Sequence, residues 1–235
     1  MNKFLLSLFL ICFVSNYAWS AEKVTVEQVM ERFVKAKNFD KLAGLKDFHA
    51  KLEQVSGERK SKMDYYFMKE YYHRLNSYER GGMHMVYDGV KSWLKIAVAP
   101  AAPGNPDIES QFDMMYEFFF THVYGNLETS HFELAQLSTF GGETFFQISM
   151  KDKDGVYSDL YIDTVNYDLR RVVKLVEHQG QSIPFEMYLD DYEVVDDIRI
   201  PFKVVATLIN EPVTYELVEI KFDLGMNKYD FRRPQ

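Results

Sequence analysis

The sequence predicts a mainly β domain with a few helical additions, built as an antiparallel meander of about 11–12 strands. Three observations predict it. From residue 45 onward, short runs rich in Tyr, Phe, Val and Ile are divided by turn signals at Ser56-Gly57, Gly81-Gly82, Asp88-Gly89, Gly141-Gly142, Asp154-Gly155 and Gln179-Gly180. Only two stretches, 25–37 and 106–124, carry apolar residues at helical spacing. Aromatic residues make up 16% of the chain, with 11 Met besides, enough for a thick core or an internal apolar cavity. So many strands must curl into a barrel or split into a sandwich to bury one face and hide their edges.

The chain begins with a short positive start, Met1-Asn2-Lys3, and runs into the uncharged apolar stretch Phe4-Leu5-Leu6-Ser7-Leu8-Phe9-Leu10-Ile11-Cys12-Phe13-Val14. Ser15 and Asn16 turn polar, and Ala18-Trp19-Ser20 places small residues where a signal peptidase needs them, so residues 1–20 read as a secretory signal peptide cleaved after Ser20. The run from 4 to 21 approaches the ~20 residues of a membrane span, but its small, polar end and the lack of a basic stop-transfer cluster favour cleavage. Cys12 follows Phe9-Leu10-Ile11 rather than the small residues of a lipidation signal. It is also the chain's single cysteine, so the domain from 21 to 235 must be stabilised by a core and not by disulfides.

The first helix is expected at 25–37, where Val26, Val29, Met30, Phe33 and Val34 share a face and Thr25 caps the start with Gln28 three residues on. Strands follow at 45–55, 59–68, 71–79, 83–87 and 91–96, and later at 131–139, 144–150, 156–163, 170–178, 183–193, 199–209 and 214–223. Between the two groups, 97–106 is an Ala/Pro/Gly/Asn loop. It leads into a helix at 106–124 with Asn105 as cap and Pro106 in the first position. Ile108, Phe112, Met115, Phe119 and His122 line one face of that helix, and Met114, Phe118 and Phe120 widen the stripe. It is predicted to be buried on more than one side, either as a lid or plug or as a core helix covering one end of the sheet.

With 27 Lys and Arg against 35 Asp and Glu, the formal net charge is −8. This disfavours nucleic acid, whose binding rests on cationic neutralisation of phosphate, and disfavours a bare anionic membrane surface for the same reason.

Two stretches carry a resemblance to a known family. Met85-Val86-Tyr87-Asp88-Gly89-Val90-Lys91-Ser92-Trp93-Leu94-Lys95 resembles the strand, Asp-Gly turn and tryptophan-bearing strand of the LolA-like superfamily of periplasmic lipoprotein carriers and outer-membrane lipoprotein-sorting proteins. Asp191-Tyr192-Glu193-Val194-Val195-Asp196-Asp197-Ile198-Arg199-Ile200-Pro201-Phe202, with the closing Phe231-Arg232-Arg233-Pro234, is similar to that family's Tyr-x-x-Val-Asp-Gly-x-x-Ile-Pro hairpin and terminal Phe-x-x-Pro. Asp197 stands where glycine is usual, a residue that still tolerates a left-handed turn. The order of elements also matches. The resemblance implies an incomplete antiparallel barrel around a hydrophobic cavity with helices closing its mouth. It further implies a periplasmic, non-enzymatic carrier for the acyl chains of lipoproteins or other lipids, handed over by inner- and outer-membrane transfer proteins. A sensor of envelope stress on the same fold is the alternative.

Acyl binding needs burial area and little chemistry, at about 0.8 kcal/mol per methylene shielded. The expected lining is Phe67, Tyr72, Met85, Trp93, Phe112, Met115, Phe119, Phe146, Ile148, Phe185 and Met187, each equally readable as ordinary core. Arg74 occupies the place of a family arginine that holds the lid through backbone hydrogen bonds; otherwise it is a solvated strand residue. His49, His73, His84, His122, His131 and His178 show no metal spacing. Asp190-Asp191 and Asp196-Asp197 read as turn residues rather than catalytic carboxylates or calcium ligands. Neither Gly-x-Ser-x-Gly nor a phosphate loop occurs, so neither a catalytic constellation nor a cofactor is expected.

Overall fold

The computed structural model describes residues 24–69, 72–79, 82–104, 112, 115, 131–151, 155–178, 181–208 and 211–235. Helix α1 (Val26–Lys37) begins as its capping box requires. The Thr25 backbone N–H donates to Gln28 Oε1 at 3.0 Å, and the Gln28 N–H donates to Thr25 Oγ1 at 3.3 Å. Val29 and Phe33 are fully buried on its inner side. Asn38 ends the helix at φ 52°, and the chain turns at once into a second helix, α2 (Phe39–Gly44), which burial of Leu42 holds down.

Thirteen strands follow among the described residues: β1 (Asp47–Ser56), β2 (Arg59–Met68), β3 (Tyr72–Ser77), β4 (Met83–Asp88), β5 (Ser92–Ile96), β6 (Ala102–Pro103), β7 (His131–Phe140), β8 (Glu143–Lys151), β9 (Tyr157–Asp163), β10 (Leu169–His178), β11 (Gln181–Val195), β12 (Ile198–Leu208) and β13 (Glu211–Phe222). Every one of the twelve expected strands is present, and the two-residue β6 lies inside the segment expected to be loop. The strands form one antiparallel sheet in the order β6-β5-β4-β3-β2-β1-β13-β12-β11-β10-β9-β8-β7. Each neighbour is also the neighbour in sequence, except where β1 meets β13. That seam runs from Phe48 opposite Phe222 to Val55 opposite Thr214, with a bulge between Lys51 and Leu52.

The sheet is open. Strands β6 and β7 stand at its two ends, and β6, two residues long and ending in Pro103, offers almost no ladder to close on. The barrel is therefore an open sheet with one apolar face. Of the expected helix at 106–124, Phe112 and Met115 are described, both helical and both 2% exposed; the other positions, and the lid they would form, lie outside the described residues.

Strand alternation defines the two faces. On β3, His73, Leu75 and Ser77 are buried on the inner face while Tyr72, Arg74 and Asn76 point outward. The inner face joins α1, Phe112 and Met115 to one continuous core running through β1–β4 and β8–β13.

A buried polar clamp ties α1 to the sheet. Lys37, at the helix C-terminus and fully buried, sets its ammonium 2.5 Å from Asp168 Oδ1 and 3.5 Å from the Tyr192 ring centroid. Arg199 donates to the same carboxylate through Nε at 2.9 Å and Nη2 at 2.7 Å. Asp196 and Asp197 take φ 48° and 62°, the double left-handed pair that a two-residue hairpin turn needs between Val195 and Ile198. Asp197 also anchors the α1–α2 corner, accepting from Lys41 Nζ at 3.3 Å and, through its carbonyl, from Asn38 Nδ2 at 3.2 Å.

After β13, residues 223–235 cross the outer face as a strap. The buried Asp47 carboxylate accepts the backbone N–H groups of Leu224 and Met226 at 2.6 and 2.9 Å. A 3-10 turn, Lys228–Phe231, follows, with Asn227 and Asp230 forming its capping box. Phe231 is fully buried against Tyr72, with ring centroids 5.7 Å apart.

Candidate functional site

Two rungs of the inner face build a cleft beside Met115. Cross-strand register sets Met63 opposite Ser77 and Ser77 opposite Met83; on the next same-face rung, Tyr65 opposes Leu75 and Leu75 opposes Met85. Together with Gln54 and Tyr215 from the β1–β13 seam, Met63, Leu75, Ser77, Met83, Met85 and Met115 enclose about 280 Å³. Four thioethers around one cavity make a soft, adaptable wall. The polar groups sit together: Gln54 Nε2 donates to the Tyr215 hydroxyl at 3.4 Å, and burial pushes that phenol up to about 12. Nothing in this lining is placed for acid–base work at neutral pH, and among the described residues no group of three or more His, Cys, Asp or Glu could hold a metal ion.

One rung further along, Phe67 opposes His73 and His73 opposes Tyr87. His73 is 3% exposed, shares a 2.8 Å hydrogen bond between Nδ1 and the Tyr65 hydroxyl, and stacks on Phe112 with centroids 5.2 Å apart. Burial pushes its pKa from 6.5 down to about 4. The folded imidazole stays neutral while the unfolded chain takes up its proton, so its contribution is intact above pH 6.5 and is lost as pH falls toward 4. Between pH 7 and 5 this costs about 2 kcal/mol. Urea unfolding at the two pH values is expected to show that loss in the wild type and most of it gone in His73→Gln; equal slopes in both would assign the acid sensitivity elsewhere.

The residues expected to line a site separate by face. Phe67, Met85, Phe112, Met115, Phe146, Ile148, Phe185 and Met187 all belong to or pack against the inner core, and of these Met85 and Met115 border the cleft. Phe146, Ile148, Phe185 and Met187 sit on β8 and β11, in the other half of the sheet. Tyr72 and Trp93 lie on the outer face, in a groove beneath the strap. Phe119 lies outside the described residues. Arg74 is also on the outer face: its Nη1 donates to the Asp230 carbonyl at 2.8 Å and its guanidinium covers the Tyr66 ring at 3.8 Å. It therefore latches the strap, on the opposite side of the sheet from Phe112. Met63, Leu75 and Met83 line the cleft without being among the expected residues, although the spacing of Met83 and Met85 is a readable sign that two methionines share a face.

No family model and no curated protein matches the chain by sequence. Solved structures do. A domain from Vibrio parahaemolyticus named for outer membrane lipoprotein sorting aligns with a TM-score of 0.57 at 16% identity, covering 87% of this chain and 96% of its own. A LolA superfamily protein from Nitrosomonas europaea gives 0.55 at 9% identity, over 89% and 98%. The chain has the LolA-type fold. A DUF1329 family protein from Desulfovibrio piger matches equally well, with a TM-score of 0.55 at 12% identity over 87% and 97%.

Within this LolA-type fold, two of the sequence motifs that suggested it meet at one place. Asp88 accepts from Trp93 Nε1 at 3.0 Å and from the backbone N–H groups of Val90 and Lys91 at 3.0 and 2.8 Å. Gly89 sits at φ 86° with the Tyr72 ring only 3.0 Å from where a Cβ would be, so the turn requires glycine twice over. Arg233, from the terminal motif, lies 4.7 Å over the Trp93 ring and donates to the Ala101 carbonyl at 2.7 Å. These motifs are the parts of a clip that fastens the strap.

Proposed function

We propose that the protein is a periplasmic carrier that shields an acyl chain of a lipoprotein or another lipid on the inner face of its sheet, beside Phe112 and Met115. The observation that carries this reading is the methionine-lined cleft of about 280 Å³ next to Met115, on a fold shared with a lipoprotein-sorting domain. The cleft is close to the lower end of small-molecule sites, about 300–1,000 Å³, and suits one chain better than several. Each methylene that enters contributes about 0.8 kcal/mol, so a single chain binds well while a flexible wall keeps release feasible. Delivery across the inner membrane by residues 1–20, and exchange with transfer proteins at the inner and outer membranes, belong to the same proposal.

Native mass spectrometry with lipid extraction, on protein purified mildly from its own periplasm, tests it. Acyl species are expected to accompany the wild type and to be lost when Phe112, Met115 and Phe119 are together replaced by alanine in a variant that still unfolds cooperatively. A wild-type protein empty under these conditions would favour a sensor role on the same fold and leave the methionines as core.

A further inference from the structure

The strap leaves a groove of about 540 Å³ on the outer face, bordered by Val90, Lys91, Trp93, Lys228, Tyr229 and Arg232. We propose that this groove docks the chain on the surface of an anionic phospholipid bilayer. The proposal concerns the face opposite the cleft and stands whether or not the cleft carries lipid.

Net acidity argues against such a surface for the chain as a whole, but the fold gathers positive charge that the sequence scatters. Lys91 comes from the β4–β5 turn, and Lys228, Arg232 and Arg233 come from the strap. Asp88, which holds its own turn and the Trp93 indole, and Asp230, which accepts from the Asn227 backbone N–H at 2.9 Å, keep their charges. These four cations therefore face two carboxylates, and the patch is net positive. Among the described residues, no ion pair neutralises Lys91, Lys228 or Arg232.

Apolar tips stand among these cations. Val90 is 78% exposed and Tyr229 is 62% exposed, both on the rim of the same groove, and Trp93 forms its wall. Arg232 lies 4.4 Å over the Tyr229 ring. Aromatic bodies with a polar end, flanked by long cationic side chains, suit the boundary between headgroups and acyl chains, and anionic lipid strengthens each cation's contribution. An acidic peptide would use the cations but leave Val90 and Tyr229 unexplained. The bilayer accounts for both.

Co-sedimentation of the full chain with phosphatidylcholine vesicles, with and without phosphatidylglycerol, tests this at low and high salt. Binding is expected on the mixed vesicles only and to weaken with salt. K228E/R232E is expected to reduce it about tenfold or more, with an unchanged thermal midpoint because both side chains face solvent. Tyr229→Ser is expected to weaken binding without altering the salt dependence. Equal partitioning of wild type and K228E/R232E overturns the proposal. So does failure of the wild type to bind the mixed vesicles, and binding of a polyglutamate peptide in their place would reassign the groove to an acidic protein partner.

Discussion

Asp168→Asn is expected to remove about 3–5 kcal/mol of folding stability. The substitution keeps the size of the side chain but takes away the negative charge paired with the ammonium of Lys37, which is fully buried and within 2.5 Å of it. The Tyr192 ring, 3.5 Å from the ammonium, offers only its π face in return. Even in the intact clamp, burial draws the Lys37 pKa down from 10.5 to about 8, with Asp168 the main force holding it up. The unfolded chain therefore binds more protons between those values, and this lysine's contribution makes stability rise as pH climbs from about 8 to 10.5. Without Asp168 the folded pKa drops further, so the rise begins at lower pH and the variant regains part of its loss in alkaline solution. Urea unfolding at pH 7 and pH 9 reads both effects. Adding Lys37→Met to Asp168→Asn is expected to restore much of the stability, because an apolar side chain in place of a buried ion is often close to neutral. Simple additivity of the two losses would mean that the two groups are not coupled.

Phe231→Ala is expected to cost about 3–5 kcal/mol of strap attachment, the range for a fully buried phenylalanine. Phe231 fills the space between Tyr72 and the outer side of β4, where Val86 is 2% exposed. The neighbouring contacts, Arg74 on the Asp230 carbonyl and Arg233 on Trp93, depend on the strap staying in place. They should be lost together, as one local opening. From residue 24 onward Trp93 is the only tryptophan, so its emission reports the strap directly. A red shift in Phe231→Ala at unchanged far-UV circular dichroism, with faster amide exchange confined to residues 223–235, is the expected result. Unshifted emission would place the strap's anchor elsewhere.

The elements themselves were legible in the sequence because local signals agree with the fold. Residues 59–68 follow a Gly57 turn and run to the next break, and Thr25 with Gln28 marks the start of α1. Helix α2 was not legible: six residues carrying Asp40 and Gly44 show no period, and the helix exists because Asn38 turns the chain and Leu42 finds cover. The faces were harder to read than the strands. Tyr72 and His73 are adjacent aromatic rings, yet alternation sends one to the strap and the other to Phe112. On β4 the clue disappears, since Met85 and Val86 are both 2% exposed. The inner core covers one and the strap covers the other, so burial on both sides erases the alternation that would have told them apart. Residue chemistry alone therefore does not sort the expected lining by face: Tyr72, Trp93 and Arg74 lie on the outer face, while Met85 and Met115 border the cleft.

The strand order also bears on the sequence of events during folding. Twelve neighbouring pairs join thirteen strands, and all but one unite strands adjacent in the chain, so each half can assemble as a stack of local hairpins with little loop-closure entropy. The exception, β1 with β13, is the zipper between the halves, and its second strand emerges from the ribosome after every other strand of the sheet. Until β13 arrives, β1 and β12 each present a bare row of amide and carbonyl groups, the template on which chains associate with one another. A polypeptide stopped short of residue 211 would remain in that state, so termination before β13 should yield aggregates rather than a smaller soluble domain.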